Sequence, residues 1–211
     1  MLWIILGIVI SYLLGSIPTA YIAGRLLKNI DIRKFGSGNV GATNALRVLG
    51  KRAGISVLLI DALKGALAVT FLSDLVLMQV PVLPNDISQL ILGVSCIFGH
   101  NWTIFLGFKG GKGVATTFGV LIGLSFKIPG LGIVLSLVLL SWLAIFLITR
   151  IVSFASVLCC AVMPVFMVLF KQSSALVIFS LLIAGFIIYR HYSNLVRIFQ
   201  GKEPRLYFKK Q

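Results

Sequence analysis

From residue 2 to residue 191 the chain is a succession of apolar runs separated by connectors rich in glycine, cationic and small polar side chains. Bounded by charge and by Pro/Gly punctuation, the runs cover approximately 2–25, 53–79, 87–107, 113–127, 130–149, 152–170 and 174–191. Repeated runs of this length leave few options. In water such a chain has no solvated face, whereas in a bilayer each run satisfies its own backbone as a helix of about 20 residues. The expected fold is an all-α integral membrane protein with about seven transmembrane helices, forming a single polytopic domain over residues 1–211. The fourth run is the exception: at 1.5 Å per residue it reaches about 22 Å, against a hydrocarbon layer of about 30 Å. It needs a thinned bilayer or an N-terminus recessed inside the protein.

Charge supplies the orientation. Only 11% of residues are charged, while the net charge is +14, a value that in a soluble domain would suggest nucleic acid. Here position decides. With the N-terminus outside and the C-terminus cytoplasmic, every Lys and Arg except Lys64, Lys127 and Lys171 lies in an inner loop or the tail, Lys209 and Lys210 included. The outer loop near residue 80 instead carries Asp74 and Asp86. That asymmetry is the positive-inside pattern, so the cations answer to topology and anionic lipid, and no nucleic-acid partner is expected. Cys96, Cys159 and Cys160 sit inside apolar runs and read as small buried hydrophobes, not a disulfide frame or a metal site. The opening "MLWIILGIVI" lacks a basic region and a cleavage signal, so it reads as a retained first helix.

Three polar stretches fall on the cytoplasmic side. "FGSGNVGATNALR", Phe35 to Arg47, combines bare backbone at Gly36, Gly38 and Gly41 with Ser37, Asn39, Thr43, Asn44 and a closing Arg47. Such a loop can wrap an oxyanion with backbone donors. "GFKGGKGVATT" places Lys112 between Gly110, Gly111 and Gly113, directly before a helix whose N-terminus favours an anion. No GxxxxGK[ST] is present, and Lys109 reads as a positive-inside anchor. In "RHYSNLVRIFQGKE", His191, Asn194 and Arg197 recur every three residues and share a helix face. That face suits a polyol phosphate or, equally, lipid headgroups. Arg150 and Ser153 occupy a tight turn between two runs. His100 reads as a structural hydrogen-bonder, and Asp61 and Lys64, spaced i,i+3 inside a span, as a structural pair. The Asn101-Trp102-Thr103 sequon is discounted because it lies at a cytoplasmic edge.

Together these stretches resemble the three signature motifs of the bacterial acyl-phosphate:glycerol-3-phosphate acyltransferase (PlsY) family, in order and with similar spacing. The resemblance implies transfer of a fatty acyl group from acyl phosphate to the sn-1 hydroxyl of glycerol 3-phosphate at the bacterial inner membrane. Lysophosphatidate and phosphate would be the products, the first step of phospholipid synthesis. It implies a phosphate cradle at Ser37, Gly38, Asn39, Thr43 and Asn44, joined by Gly110 and Gly111. Arg47 and Lys112 would hold the two anionic groups, and Ser153, His191 and Asn194 would grip glycerol 3-phosphate. One position departs from the family: Thr103 stands where a proline is usual, which bears on local geometry rather than on the reaction.

The implied chemistry is coherent. An acyl phosphate is a mixed anhydride with a good leaving group, so positioning and charge stabilisation suffice without an enzyme nucleophile. His191 is a candidate base, yet the departing phosphate can accept the proton itself, and substrate assistance with His191 as positioner is favoured. Neither histidine begins an HxxxxD pattern, since Phe105 and Val196 occupy the fifth positions onward. No carboxylate cluster offers a Mg²⁺ site, so neither metal nor cofactor is expected. The chain is expected to act as a monomer with its active site toward the cytoplasm. The alternative of a different class is a membrane transporter of a phosphorylated solute, against which stand the absence of a repeat and the one-sided placement of the motifs.

Overall fold

The computed structural model describes residues 2–79 and 85–206, and every regular element among them is helical. Lys209 and Lys210 lie outside the described residues. Five stretches have the length and apolarity of a membrane crossing: Leu2–Lys28, Lys51–Leu77, Asp86–Leu106, Leu131–Thr149 and Val152–Leu169. A sixth forms if Ser174–Arg190 and Tyr192–Phe199, bent by 60°, are taken together. The short fourth run is shorter than expected, a 12-residue helix over Val114–Ser125 of about 18 Å. The chain divides into two compact units, one ending at Lys127 and one beginning at Ile128.

The first unit contains α1 (Leu2–Ser16), α2 (Thr19–Lys28), α3 (Ala42–Leu49), α4 (Lys51–Leu67), α5 (Ser73–Leu77), α6 (Asn85–Asn101) and α7 (Val114–Ser125). The expected first span is broken: Pro18 has no N–H to continue the ladder, so α1 stops at Ser16 and α2 restarts at Thr19. Lipid is as apolar as the helices, so association relies on close packing and polar bridges. Both are present. Gly65 of α4 and Gly119 of α7 each face the other helix's backbone, and an added Cβ would come within 2.1 Å of the Thr116 carbonyl or 1.7 Å of the Ala62 carbonyl. Gly15 and Gly99 do the same for α1 and α6, against Cys96 and Tyr12 carbonyls at 2.0 Å. The hydroxyls of Ser11 and Ser95 then stitch α1 to α6 through Leu92 O at 2.6 Å and Ile8 O at 2.8 Å.

Between α4 and α5 the helix widens into a π-turn over Ala68–Leu72. The widened ladder is met by side chains: Thr70 Oγ1 donates to Ala66 O at 2.8 Å and Ser73 Oγ to Val69 O at 2.8 Å. Lys127 reaches across to Thr70 O and Ser73 Oγ and forms an ion pair with Asp74.

The second unit holds α8 (Leu131–Thr149), α9 (Val152–Leu169), α10 (Ser174–Arg190) and α11 (Tyr192–Phe199). Arg150, at φ 60°, is the left-handed residue that lets the chain reverse from α8 into α9. Trp142 of α8 donates its indole N–H to Ser156 Oγ of α9 at 3.2 Å, joining the pair by a polar bridge inside an apolar interface. After α11 the chain returns to the α8–α9 turn, where Leu206 N–H donates to Arg150 O at 2.8 Å.

Candidate active site

The first glycine-rich loop is built around one side chain. Asn44, buried in the first turn of α3, donates its amide to the carbonyls of Asn39 at 2.9 Å, Phe35 at 3.1 Å and Ile32 at 3.3 Å. Its Oδ1 accepts the Ser37 N–H at 2.9 Å. The loop closes over this amide because Gly36 and Gly38 adopt φ 61° and 71°, and a Cβ on Gly36 would sit 2.3 Å from Asn44 Oδ1. Asn44 is therefore the framework of the loop, where the sequence pointed to a substrate ligand. The residues left to face outward are Ser37, exposed, and Asn39 and Thr43, half-buried; Arg47 lies in the last turn of α3. Upstream, Asp31 caps the turn Ile32–Lys34 and pairs with Arg33 at 2.8 Å, whose hydrogen bond draws the carboxyl down to about 2.

The second loop shows a different use of glycine from the expected one. Gly110 N–H donates to Asn101 O at 3.0 Å and Gly111 N–H to His100 O at 2.9 Å. These amides are spent on the end of α6 and are not presented to an anion. The absent side chains serve packing instead: a Cβ on Gly111 would fall 2.1 Å from His100 Nε2, and one on Gly110 2.2 Å from His100 O. Gly113, at φ 80°, then turns the chain into α7, and its carbonyl accepts the Thr117 N–H at 2.8 Å. The amides of the first turn of α7 lack intrahelical acceptors, as at any helix start, and half-buried Lys112 lies beside them. Lys112 and the start of α7 are the cationic and dipolar features of this loop, with Gly110 and Gly111 holding it down. The family departure also has a local account: Thr103 Oγ1 donates to Ser16 O at 2.5 Å and caps the following turn by accepting Phe105 N–H at 3.3 Å.

In the second unit, Ser153, Asn194 and Arg197 converge on a residue that the motif pattern does not mark. Buried Glu203 accepts Ser153 Oγ–H at 2.7 Å and Asn194 Nδ2–H at 2.5 Å on Oε1, and Arg197 Nε–H at 2.7 Å on Oε2. Burial pushes its carboxyl up, but the three donors and the Arg197 charge outweigh that and hold it below the usual range. A sequence signal existed: Glu203 is the sole glutamate of the chain, set in a cationic tail. His191 is buried at the α10–α11 bend, and its Nδ1 lies 2.8 Å from Ile187 O. A carbonyl only accepts, so Nδ1 carries the hydrogen in this contact.

These features define an all-helical integral membrane protein with a cationic, glycine-rich loop in one unit and a carboxylate-ordered polar cluster in the other. The family profile for glycerol-3-phosphate acyltransferase matches residues 5–201, and the chain belongs to that family. It is 43% identical over 204 residues to a glycerol-3-phosphate acyltransferase of Prochlorococcus marinus (strain NATL2A), covering 93% of this chain and 94% of that one. A Macrococcus caseolyticus (strain JCSC5402) protein of the same name is 43% identical over 208 residues, covering 98% of this chain and 99% of its own. Among solved structures, the glycerol 3-phosphate form of PlsY (YgiH), an integral membrane glycerol 3-phosphate acyltransferase, superposes with a TM-score of 0.83. It is 34% identical, with 97% of this chain and 96% of that chain covered. The lysophosphatidic acid form superposes with a TM-score of 0.80 at the same 34% identity, covering 97% of this chain and 95% of that one.

Proposed function

We propose that this chain transfers a fatty acyl group from acyl phosphate to the sn-1 hydroxyl of glycerol 3-phosphate, releasing lysophosphatidate and inorganic phosphate. The observation that carries the reading is Lys112 at the start of α7, held by the Gly110 and Gly111 contacts, in a member of the glycerol-3-phosphate acyltransferase family. The transporter reading finds no support among the relatives, which bear the name of an acyltransferase.

The hydroxyl oxygen attacks the acyl carbonyl carbon, the bond from that carbon to the phosphate oxygen breaks, and phosphate departs with the electron pair. The hydroxyl proton passes to the departing phosphate. Lys112 and Arg47 neutralise the phosphoryl charge, Ser37, Asn39 and Thr43 supply hydrogen bonds around it, and the α7 start adds its dipole. Ser153, Asn194 and His191 orient the polyol. The acyl chain lies in a groove among the spans. We further read the chain as one polytopic domain of about seven crossings, monomeric in a bacterial inner membrane. The cationic loops support an outside N-terminus and a cytoplasmic C-terminus and site.

Purified protein given palmitoyl phosphate and glycerol 3-phosphate, without added metal, should form lysophosphatidate and phosphate in equal amounts. Product only with acyl-CoA would overturn the donor assignment, and uptake of glycerol 3-phosphate into liposomes without acyl product would favour a transporter. Lys112→Ala should cost about 100-fold or more in turnover while the protein still inserts and folds.

A further inference from the structure

Inside the first unit lies a buried ion pair that the acyl-transfer chemistry does not use. Asp61 and Lys64, side chains 1% and 4% exposed, pair at 2.8 Å on α4. Lys64 also donates to Ile17 O at 2.8 Å and Gly15 O at 3.2 Å, carbonyls released where Pro18 interrupts the α1–α2 ladder. Thr19 N–H, which an unbroken helix would direct to Gly15, turns to Ile17 O at 3.0 Å. Asp61 Oδ1 accepts the Thr19 hydroxyl at 2.9 Å and lies 3.7 Å from His100 Nδ1.

The contacts lead in two directions. Thr19 opens α2, which runs to the first glycine loop. His100 takes the Gly111 N–H on its carbonyl and sets its ring where a Gly111 side chain would be, directly before Lys112. Stability alone does not account for the pair. A buried ion pair recovers its desolvation cost only when its remaining polar atoms are satisfied, and Asp61 Oδ2 is buried with no hydrogen-bond partner among the described residues.

We propose that Asp61, Lys64 and His100 are positioning residues: the pair fixes the α1–α2 break and the His100 ring, and His100 fixes the loop that carries Lys112. This rests on the reading of that loop as the phosphate site. None of the three touches the reacting atoms.

The test is steady-state kinetics on purified Asp61→Asn, His100→Ala and their double variant, with glycerol 3-phosphate varied at saturating palmitoyl phosphate. Each single variant should lower kcat/KM by about tenfold or more, and the double should fall within about threefold of the worse single, because both act through one chain of contacts. His100→Gln, whose amide reaches the region of the ring's Nε2, should recover part of the loss. Reduced yield or melting temperature with unchanged kcat/KM in the folded fraction would overturn the proposal, as would additive losses. If Asp61→Asn fails to fold, equal kcat/KM for His100→Ala and His100→Gln would overturn it alone. Lys112→Ala separates the two readings. An active Lys112→Ala refutes the phosphate site itself, whereas an inactive one beside wild-type-like Asp61→Asn and His100→Ala refutes only the positioning role.

Discussion

Replacing Glu203 tests how the second unit is ordered. Its carboxylate accepts from Ser153, Asn194 and Arg197 at 2.7, 2.5 and 2.7 Å. Glu203→Gln keeps one acceptor for Ser153 and Asn194 but removes the charge that strengthens both bonds, about 1 kcal/mol each. It also sets an amide NH₂ against the Arg197 guanidinium. Arg197 is 37% exposed, so losing that pair is discounted toward the surface value of about 1 kcal/mol or less. The expected loss is about 2–3 kcal/mol for Glu203→Gln. Glu203→Ala should cost more, about 3–6 kcal/mol, because it strands two buried donors. The assay is thermal unfolding in detergent micelles with a thiol-reactive fluorophore, since Cys96, Cys159 and Cys160 are free and buried and become labelled on opening. The pH dependence has a definite sign. A carboxyl held below its ordinary value of 4.5 contributes stability that is complete above that value and is lost as pH falls through the lowered one. The gap between wild type and Glu203→Gln should therefore be flat from about pH 8 to about pH 5 and shrink in stronger acid. A Gln variant as stable as wild type at neutral pH, or a gap that widens in acid, would refute the assignment.

Other outcomes follow from the same geometry. Asn44→Asp should destabilise as much as Asn44→Ala, about 2–4 kcal/mol by the same assay, because a carboxylate cannot donate to the three loop carbonyls; a benign Asp variant would contradict the framework role. Gly119→Ala should cost about 1–3 kcal/mol, since its Cβ meets backbone at 1.7 Å, whereas Gly132→Ala meets nothing within 4 Å among the described residues and serves as the neutral control. His191→Ala should slow turnover by up to about 100-fold without abolishing it. Retained binding with no turnover even at high pH would make His191 the base and remove substrate assistance.

Much of the fold was legible because an apolar run in a bilayer has one local solution. What escaped depended on distant partners. The run 2–25 carries its break at Pro18, yet the donors that meet the freed carbonyls come from afar: Lys64, 47 residues from Ile17, and Thr103, 87 residues from Ser16. The cationic loops were visible as motifs, but sequence could not say what their bare backbone admits. For Gly110 and Gly111 it admits the end of α6 and the His100 ring, not a ligand. Likewise Asn44 looks like any polar loop residue until its amide is seen spanning three carbonyls. The role of Glu203 is not legible in the pattern because it lies past α11, off that helix's periodicity, and its partner Ser153 is 50 residues away.

The π-turn at Ala68–Leu72 sets the phase of the second span. One surplus residue in a helix advances everything beyond it by about 100°. Ser73 and Asp74 therefore face Lys127 at an azimuth that a regular helix continuing from Asp61 and Lys64 would not give them. Deleting a single residue within Ala68–Leu72 would straighten the ladder and rotate one end of the span against the other. Sequences that lack the surplus residue must re-aim that end by some other means, and an alignment placing its gap elsewhere would pair residues that point in different directions.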